Sequence, residues 1–288
     1  MAKARIDPVD WIIKLLITVL VLVCVLPFLH VFSASVSSNA AVMARNVKLL
    51  PIGFNLYGYL TILRDQSMIR SLYMTVYYTA AFTAVGMVLT ILAAYPLTKR
   101  NLLGRNVFLM VFVITLYFSA GLIPEYLLVH SLGLINTPWS IILPLALSPY
   151  NLILMKTSFQ SIPESLEESA FIDGCTHFQI LLRIVLPLSK PILATLVLFY
   201  AVGRWNAYQD ALFYLTKSSL YPLQLKLYNL VNSYGEAEQI AQEAGVVHVA
   251  QEVLRPASIV FATVPILLVY PFVQRYFVKG VMIGAVKG

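Results

Sequence analysis

Charge is scarce in this chain: only 11% of its 288 residues are Asp, Glu, Lys or Arg, against 59% hydrophobic residues. That balance leaves too little polar surface to solvate a globular domain and reads as an integral membrane protein. Cysteine is nearly absent. Cys24 sits in an apolar run and Cys175 in a polar interlude, at different membrane depths, so no disulfide is expected between them. The phosphate-loop pattern G-x-x-x-x-G-K-[ST], the zinc pattern H-E-x-x-H and the nucleophile elbow G-x-S-x-G are all missing, so no hydrolytic chemistry is expected of the chain itself. The net charge of +7 lacks the basic, aromatic-interleaved cluster of a nucleic-acid binder; the cations lie in small groups beside apolar runs.

Those runs are what the chain has in abundance. Six are long enough to cross a bilayer: residues 11–32, 72–96, 107–129, 139–155, 192–215 and 258–278. The fourth carries Pro144 and Pro149 and is the weakest. The first resembles a signal peptide, with Lys3, Arg5 and Lys14 before or within it and Ser33-Ala34-Ser35 after it, but its apolar core is too long for a cleaved leader. The expected fold class is therefore an all-α membrane protein of six transmembrane helices, forming one transmembrane domain over residues 1–288.

Lysine and arginine set the orientation. A cytosolic N-terminus places Lys3, Arg5, Lys14, Lys99, Arg100, Arg105, Lys156, Arg183, Lys190, Arg275, Lys279 and Lys287 inside. Outside fall Arg45, Lys48, Arg64, Arg70, Lys217, Lys226 and Arg255, on longer segments. The positive-inside rule thus puts both termini, the tail 279–288 and the polar loop 160–190 in the cytosol, and segment 217–256 outside.

The polar loop is the most informative stretch. Ser161 and Glu164 have capping-box spacing with Pro163 in the first turn, so a helix is expected from about residue 162 to 173. Gly174 supplies a left-handed end, and Thr176 with Gln179 opens a second helix that should stop before Pro187. Glu164, Glu167, Glu168 and Phe171 share one face. A solvated interfacial helix is the plain alternative to a docking face. The run Glu168-Ser169-Ala170-Phe171-Ile172-Asp173-Gly174, followed by Ile184, Leu186 and Pro187, closely resembles the EAA loop of ATP-binding-cassette (ABC) importer permeases. Ser169 stands where that motif has its first alanine. The C-terminal residues Gln274 to Gly280 and Gly284 to Gly288, with Leu132-Gly133-Leu134-Ile135-Asn136-Thr137, resemble the carbohydrate-uptake permeases of the maltose (MalG) type. Trp205-Asn206-Ala207-Tyr208 and Tyr221-Pro222-Leu223-Gln224-Leu225 look most like the oligosaccharide subgroup.

The resemblance implies a type I ABC importer permease in the bacterial cytoplasmic membrane. Its partners would be a second permease, two ATPase subunits holding ATP and Mg, and an extracytoplasmic solute-binding protein that delivers a sugar or oligosaccharide. This chain would hold no cofactor. Glu164, Glu167, Glu168, Ser169, Ala170, Phe171, Asp173 and Gly174 would form the ATPase-coupling element, and Lys279, Gly280, Gly284 and Lys287 a tail reaching between the ATPases. Without the resemblance, that glycine-rich tail reads as a frayed end.

Inside the fifth run, Arg204, Trp205, Asn206, Tyr208 and Asp210 are expected to line the substrate path, because charge at membrane depth faces a water-filled path or a partner. The competing possibility is that Arg204 pairs with the companion permease and Trp205 anchors packing. Arg204 and Asp210 are six residues apart, so on an unbroken helix they should not meet. Glu125 and His30 read as interfacial. In segment 217–256, residues 236–243 read as an amphipathic helix, while Leu223, Leu225 and Leu227 alternate like a strand and Leu223, Leu227 and Leu230 fit a helix. Two other function classes remain open here: an ion-coupled secondary transporter using Arg204 and Asp210, which should show inverted repeats, and a scaffold or sensor that binds no substrate.

Overall fold

The structure is a computed structural model that describes residues 8–244 and 252–285. In chain order the helices are α1 (Pro8–Ser35), α2 (Asn39–Met43), α3 (Tyr57–Arg64), α4 (Gln66–Ala94), α5 (Arg105–Tyr117), α6 (Leu122–Ser131), α7 (Trp139–Ile142) and α8 (Pro149–Gln160). Then follow α9 (Glu164–Ile172), α10 (His177–Ile180), a π-helical turn (Leu181–Val185), α11 (Leu186–Leu188), α12 (Lys190–Asn206), α13 (Gln209–Tyr214), α14 (Leu223–Ala244) and α15 (Leu254–Ala285). No strand occurs among the described residues.

Among the described residues, two helices are long and apolar enough to cross a bilayer as they stand: Val9–Ser35 within α1, and α4 continued by a short 3-10 turn to Thr98. The expected straight spans 107–129, 139–155 and 192–215 are instead interrupted. The third bends by 118° between α5 and α6, where Gly121 adopts φ +84° and Pro124 follows. The fourth is split into α7 and α8 by residues 143–148, which hold Pro144 and a left-handed Leu145 at φ +57°. The fifth breaks at Ala207 and Tyr208, whose backbone leaves the helical region. Broken backbone at membrane depth is tolerated where it is buried in protein or lines a cavity.

Chain contacts divide the molecule into two units. In the unit of Met1–Ile69 and Leu227–Pro265, the serines that look like a cleavage site belong to the fold. Ser33, Ser35 and Ser37 are buried. Ser33 Oγ donates to the Leu49 carbonyl at 2.6 Å, Ser37 Oγ accepts from Ile52 N at 3.0 Å, and Ser35 pairs with the Tyr59 hydroxyl at 2.7 Å. His30 Nδ1 meets the Lys48 carbonyl at 2.7 Å. These bonds satisfy the backbone of an irregular segment against the end of α1.

In the unit of Arg70–Lys226 and Ile266–Gly288, α4 is the axis of packing. Thr75 Oγ1 accepts from Leu223 N at 2.7 Å, and the Tyr78 hydroxyl donates to the Leu220 carbonyl at 3.0 Å. The 223–230 stretch is helical, as the start of α14. Its strand-like alternation arises because Leu223, Leu225 and Leu227 are all buried, so the apolar pattern exceeds one helical face.

Further along α4, Gly86 permits a close approach of two other segments. A Cβ there would stand 2.7 Å from the Ala146 carbonyl and 2.9 Å from Tyr200 Cε1. Gly86→Ala must displace backbone, an overpacking cost of about 1–3 kcal/mol. A lower thermal midpoint of the purified protein is expected, and an unchanged one would show that residues 143–148 give way freely.

Candidate functional site

The polar loop is held by its own chain on one side and open on the other. At α9, the expected Ser161 and Glu164 capping box is not formed. Ser161 Oγ donates back to the Ser158 carbonyl at 2.7 Å, and Pro163, expected in the first turn, occupies the N-cap position with no side-chain cap. The second box does form: Thr176 N donates to Gln179 Oε1 at 2.8 Å, and Gln179 N donates to Thr176 Oγ1 at 3.4 Å. Between them Gly174 takes φ +81°, the left-handed conformation that glycine adopts without steric cost. The second helix does not stop before Pro187. The π turn at Leu181–Val185 loosens the ladder, so α11 continues through the proline that lacks an N–H.

The expected coupling residues therefore divide. Glu167 turns inward to an ion pair with Lys99, and the Tyr95 hydroxyl also donates to it. Ala170 is 6% exposed, inside a core cluster with Tyr95, Phe159 and Ile180. Glu164, Glu168, Ser169, Phe171, Asp173 and Gly174 are exposed, as is Ile172 at 87%. Phe171 packs edge-on against His177 at 4.7 Å between ring centroids. The outward face is thus acidic and apolar together, on a helix fixed beneath by one charge pair and one buried small residue.

The expected path residues divide as well. Arg204, 8% exposed, donates from Nη1 to Asp210 Oδ2 at 2.5 Å and from Nη2 to Oδ1 at 2.8 Å. The expectation that these two residues stay apart is overturned, because the break at Ala207 and Tyr208 folds α13 back towards α12. Arg204 Nη1 also reaches the Ile141 carbonyl at 3.3 Å, and its guanidinium lies 5.6 Å from the Phe82 ring centroid. This fork-to-fork pairing suits arginine and is reinforced by the aromatic face.

Beside the pair is a cavity of about 510 Å3. Phe82 of α4, Glu125 of α6, Tyr150 and Asn151 of α8, Tyr200 and Gly203 of α12, and Asp210 and Tyr214 of α13 line it, with Pro144, Leu145 and Ser148 of the interrupted fourth run. Trp205, Asn206 and Tyr208 are not in that lining. Asn206 Nδ2 donates to the Val202 carbonyl at 2.9 Å, and Trp205 Nε1 is buried with no hydrogen-bond partner among the described residues. Glu125, expected at the interface, is turned into the lining by the bend between α5 and α6, which no linear pattern reveals. Asn136 is a second residue whose role the sequence left open. In a left-handed conformation, its Oδ1 accepts from Thr216 N at 2.6 Å and Lys217 N at 3.2 Å, fixing the end of α13.

Of the tail residues, Lys279, Gly280 and Gly284 fall in the helical backbone of α15. Lys287 lies outside the described residues.

The model of the family described as "Binding-protein-dependent transport system inner membrane component" matches residues 86–283. The chain belongs to that family. It is 43% identical to the polygalacturonan/rhamnogalacturonan transport system permease protein YtcP of Bacillus subtilis, over 97% of this chain and 98% of that one. It is 42% identical to the protein LplC of the same organism, over 92% and 90%. A chain in the crystal structure of a bacterial ABC transporter involved in import of the acidic polysaccharide alginate superposes with a TM-score of 0.86 at 33% identity, covering 96% of this chain and 99% of that one. The chain is thus an ABC importer permease, a membrane subunit that does not itself hydrolyse ATP. Membership decides against the ion-coupled and scaffold classes.

The Arg204 and Asp210 pair makes a sharp stability prediction for this permease. Removing one partner strands a charge that the fold has desolvated, at about 3–5 kcal/mol, whereas replacing both with apolar residues is far milder. Asp210→Leu should lower the thermal midpoint of the purified protein, and Asp210→Leu with Arg204→Met should recover most of it. Additive losses in the double variant would show that the pair is not coupled.

Proposed function

We propose that this permease is one of two membrane subunits surrounding the path of a binding-protein-dependent importer for acidic oligosaccharides. In this reading the chain has six spans, with both termini and the 160–190 loop in the cytosol, as the distribution of Lys and Arg favours. The interrupted spans count as bent crossings. Two ATPase subunits bind ATP and Mg, and a solute-binding protein delivers the sugar to the outer side. The names of the relatives carry the substrate class: YtcP is named for polygalacturonan and rhamnogalacturonan, and the structural neighbour belongs to an alginate importer.

The observation that carries the mechanism is the two-sided α9. Its exposed Glu164, Glu168 and Phe171 form a face that an ATPase cleft can grip, while Glu167 and Ala170 fix it to the permease. Closure of the ATPases on ATP then moves α9 as a rigid body and switches the path between outward and inward access. Gly174 allows the chain to turn immediately behind it. The tail from Lys279 onward would lie between the ATPases.

Two outcomes test this. With the full complex in proteoliposomes, Glu168→Lys should reduce ATP-dependent uptake by about tenfold or more, since charge reversal costs roughly this at a contact. Gly174→Trp should do the same through strain at φ +81°. Normal uptake in both, with the permease inserted, refutes docking through α9. For the tail, a cysteine at Ala285 should crosslink to an ATPase subunit more readily with ATP bound than without. A cysteine there that crosslinks to neither, and a deletion from Gly284 onward that leaves uptake intact, refutes the tail's placement.

A further inference from the structure

The cavity beside the broken fifth run has a charge pattern at odds with simple capture of an acidic sugar. Its one cation, Arg204, is already held by both oxygens of Asp210 and by the Ile141 carbonyl. Besides this pair the lining holds the Glu125 carboxylate, whose oxygens make no hydrogen bond or ion pair with any described residue. The lining therefore carries two carboxylates against one guanidinium. A half-buried carboxylate without a protein donor leaves its acceptor sites open to water or to a ligand in the cavity. The remaining walls are supplied in large part by the rings of Phe82, Tyr150 and Tyr214.

We propose that this cavity is a subsite for an uncharged sugar ring or the hydroxyl edge of one, with Glu125 and Asp210 accepting hydroxyl hydrogen bonds and the aromatic rings giving apolar faces. An ionised carboxylate accepts hydrogen bonds and donates none, so it suits hydroxyls and repels a uronate. Aromatic rings complement the C–H faces of a pyranose, and about 510 Å3 lies within the range of small-molecule sites. The inference rests on the importer reading above and adds that this subunit handles the neutral part of the chain. The carboxylates of an acidic oligosaccharide must then face elsewhere. Glu125 is the specificity-determining residue of the subsite, because it is the lining charge left unpaired.

The test compares two probes of equal length and linkage, tetragalacturonate and its carboxyl-reduced tetragalactoside. ATP-dependent uptake of each is measured in proteoliposomes holding the full complex and its binding protein, for wild type and Glu125→Gln. The binding protein's own preference is common to both and cancels when the variant's selectivity is divided by that of wild type. Glu125→Gln keeps the shape and an acceptor but removes the charge, so kcat/KM for tetragalacturonate relative to tetragalactoside should rise about tenfold. Glu125→Ala, which removes the acceptor as well, should raise KM for tetragalactoside. An unchanged selectivity ratio with normal uptake overturns the subsite while leaving the importer reading intact. Loss of the companion permease from Glu125→Gln on size-exclusion chromatography also overturns it, making Glu125 an interface residue. Absence of ATP-dependent uptake of either probe by wild type sinks the oligosaccharide reading and the subsite with it.

Discussion

The Arg204 guanidinium is where four separate pieces of the chain meet. It closes on Asp210 of α13, reaches the Ile141 carbonyl of α7, lies over Phe82 of α4, and is itself carried by α12. Each of these pieces adjoins a place where regular helix has been given up or where the backbone packs closely. A helix that breaks inside a bilayer leaves N–H and C=O groups that lipid cannot satisfy. Here the break between α12 and α13 coexists with a charge pair that neither helix could hold alone. Without that pair the two charges would have to be solvated separately in an apolar surrounding, and the short α13 would have little reason to fold back.

The same logic of holding an irregular element by one charge pair recurs in the polar loop. Nine residues of α9 are too few to be stable as an isolated helix. Burial of Ala170 in the core cluster and the Lys99 to Glu167 ion pair fix this helix against the end of α4 and the following loop. Gly174 and the Thr176 to Gln179 box then set where the next helix starts. The result is a small helix with one face committed and one face open, the form that an element serving as a mechanical contact requires.

What the sequence revealed and what it hid divide along a physical line. Features fixed within a few residues were legible: the long apolar runs at α1 and α4, the left-handed Gly174, and the box at Thr176 and Gln179. Their causes lie in local sterics and hydrogen bonds. The Ser161 and Glu164 box has the right spacing too, yet Ser161 is captured by the end of α8, a competitor that spacing cannot show. The Arg204 and Asp210 pair was hidden because helix periodicity holds only while the helix does, and nothing local at Ala207 and Tyr208 announces the break. Glu125 was hidden likewise by the bend before α6. The 223–230 stretch was ambiguous because burial on more than one side erases the difference between the two periods.

The two sites are joined by continuous packing. Ala170 of α9, Ile180 and Leu181 behind it, Val185 in the π turn, Leu196 and Tyr200 of α12, and Met87 of α4 belong to one buried cluster. Tyr200 ends that cluster at the cavity wall, where its hydroxyl pairs with Thr90 at 2.7 Å and accepts from Ser148 N at 3.1 Å. A close-packed interior transmits strain because it has no voids in which to absorb it. The π turn is the softest link in this chain, since its wider hydrogen-bond spacing leaves the backbone less tightly braced than an α-helix. In the proposed role of α9, a displacement imposed on its outer face can relax at the π turn or move Tyr200. The latter shifts the hydroxyl that holds residue 148 and, with it, the interrupted segment that forms one wall of the cavity. Helix α9 and the cavity are therefore parts of one packed body, and the irregularities between them determine how much of a displacement at one reaches the other.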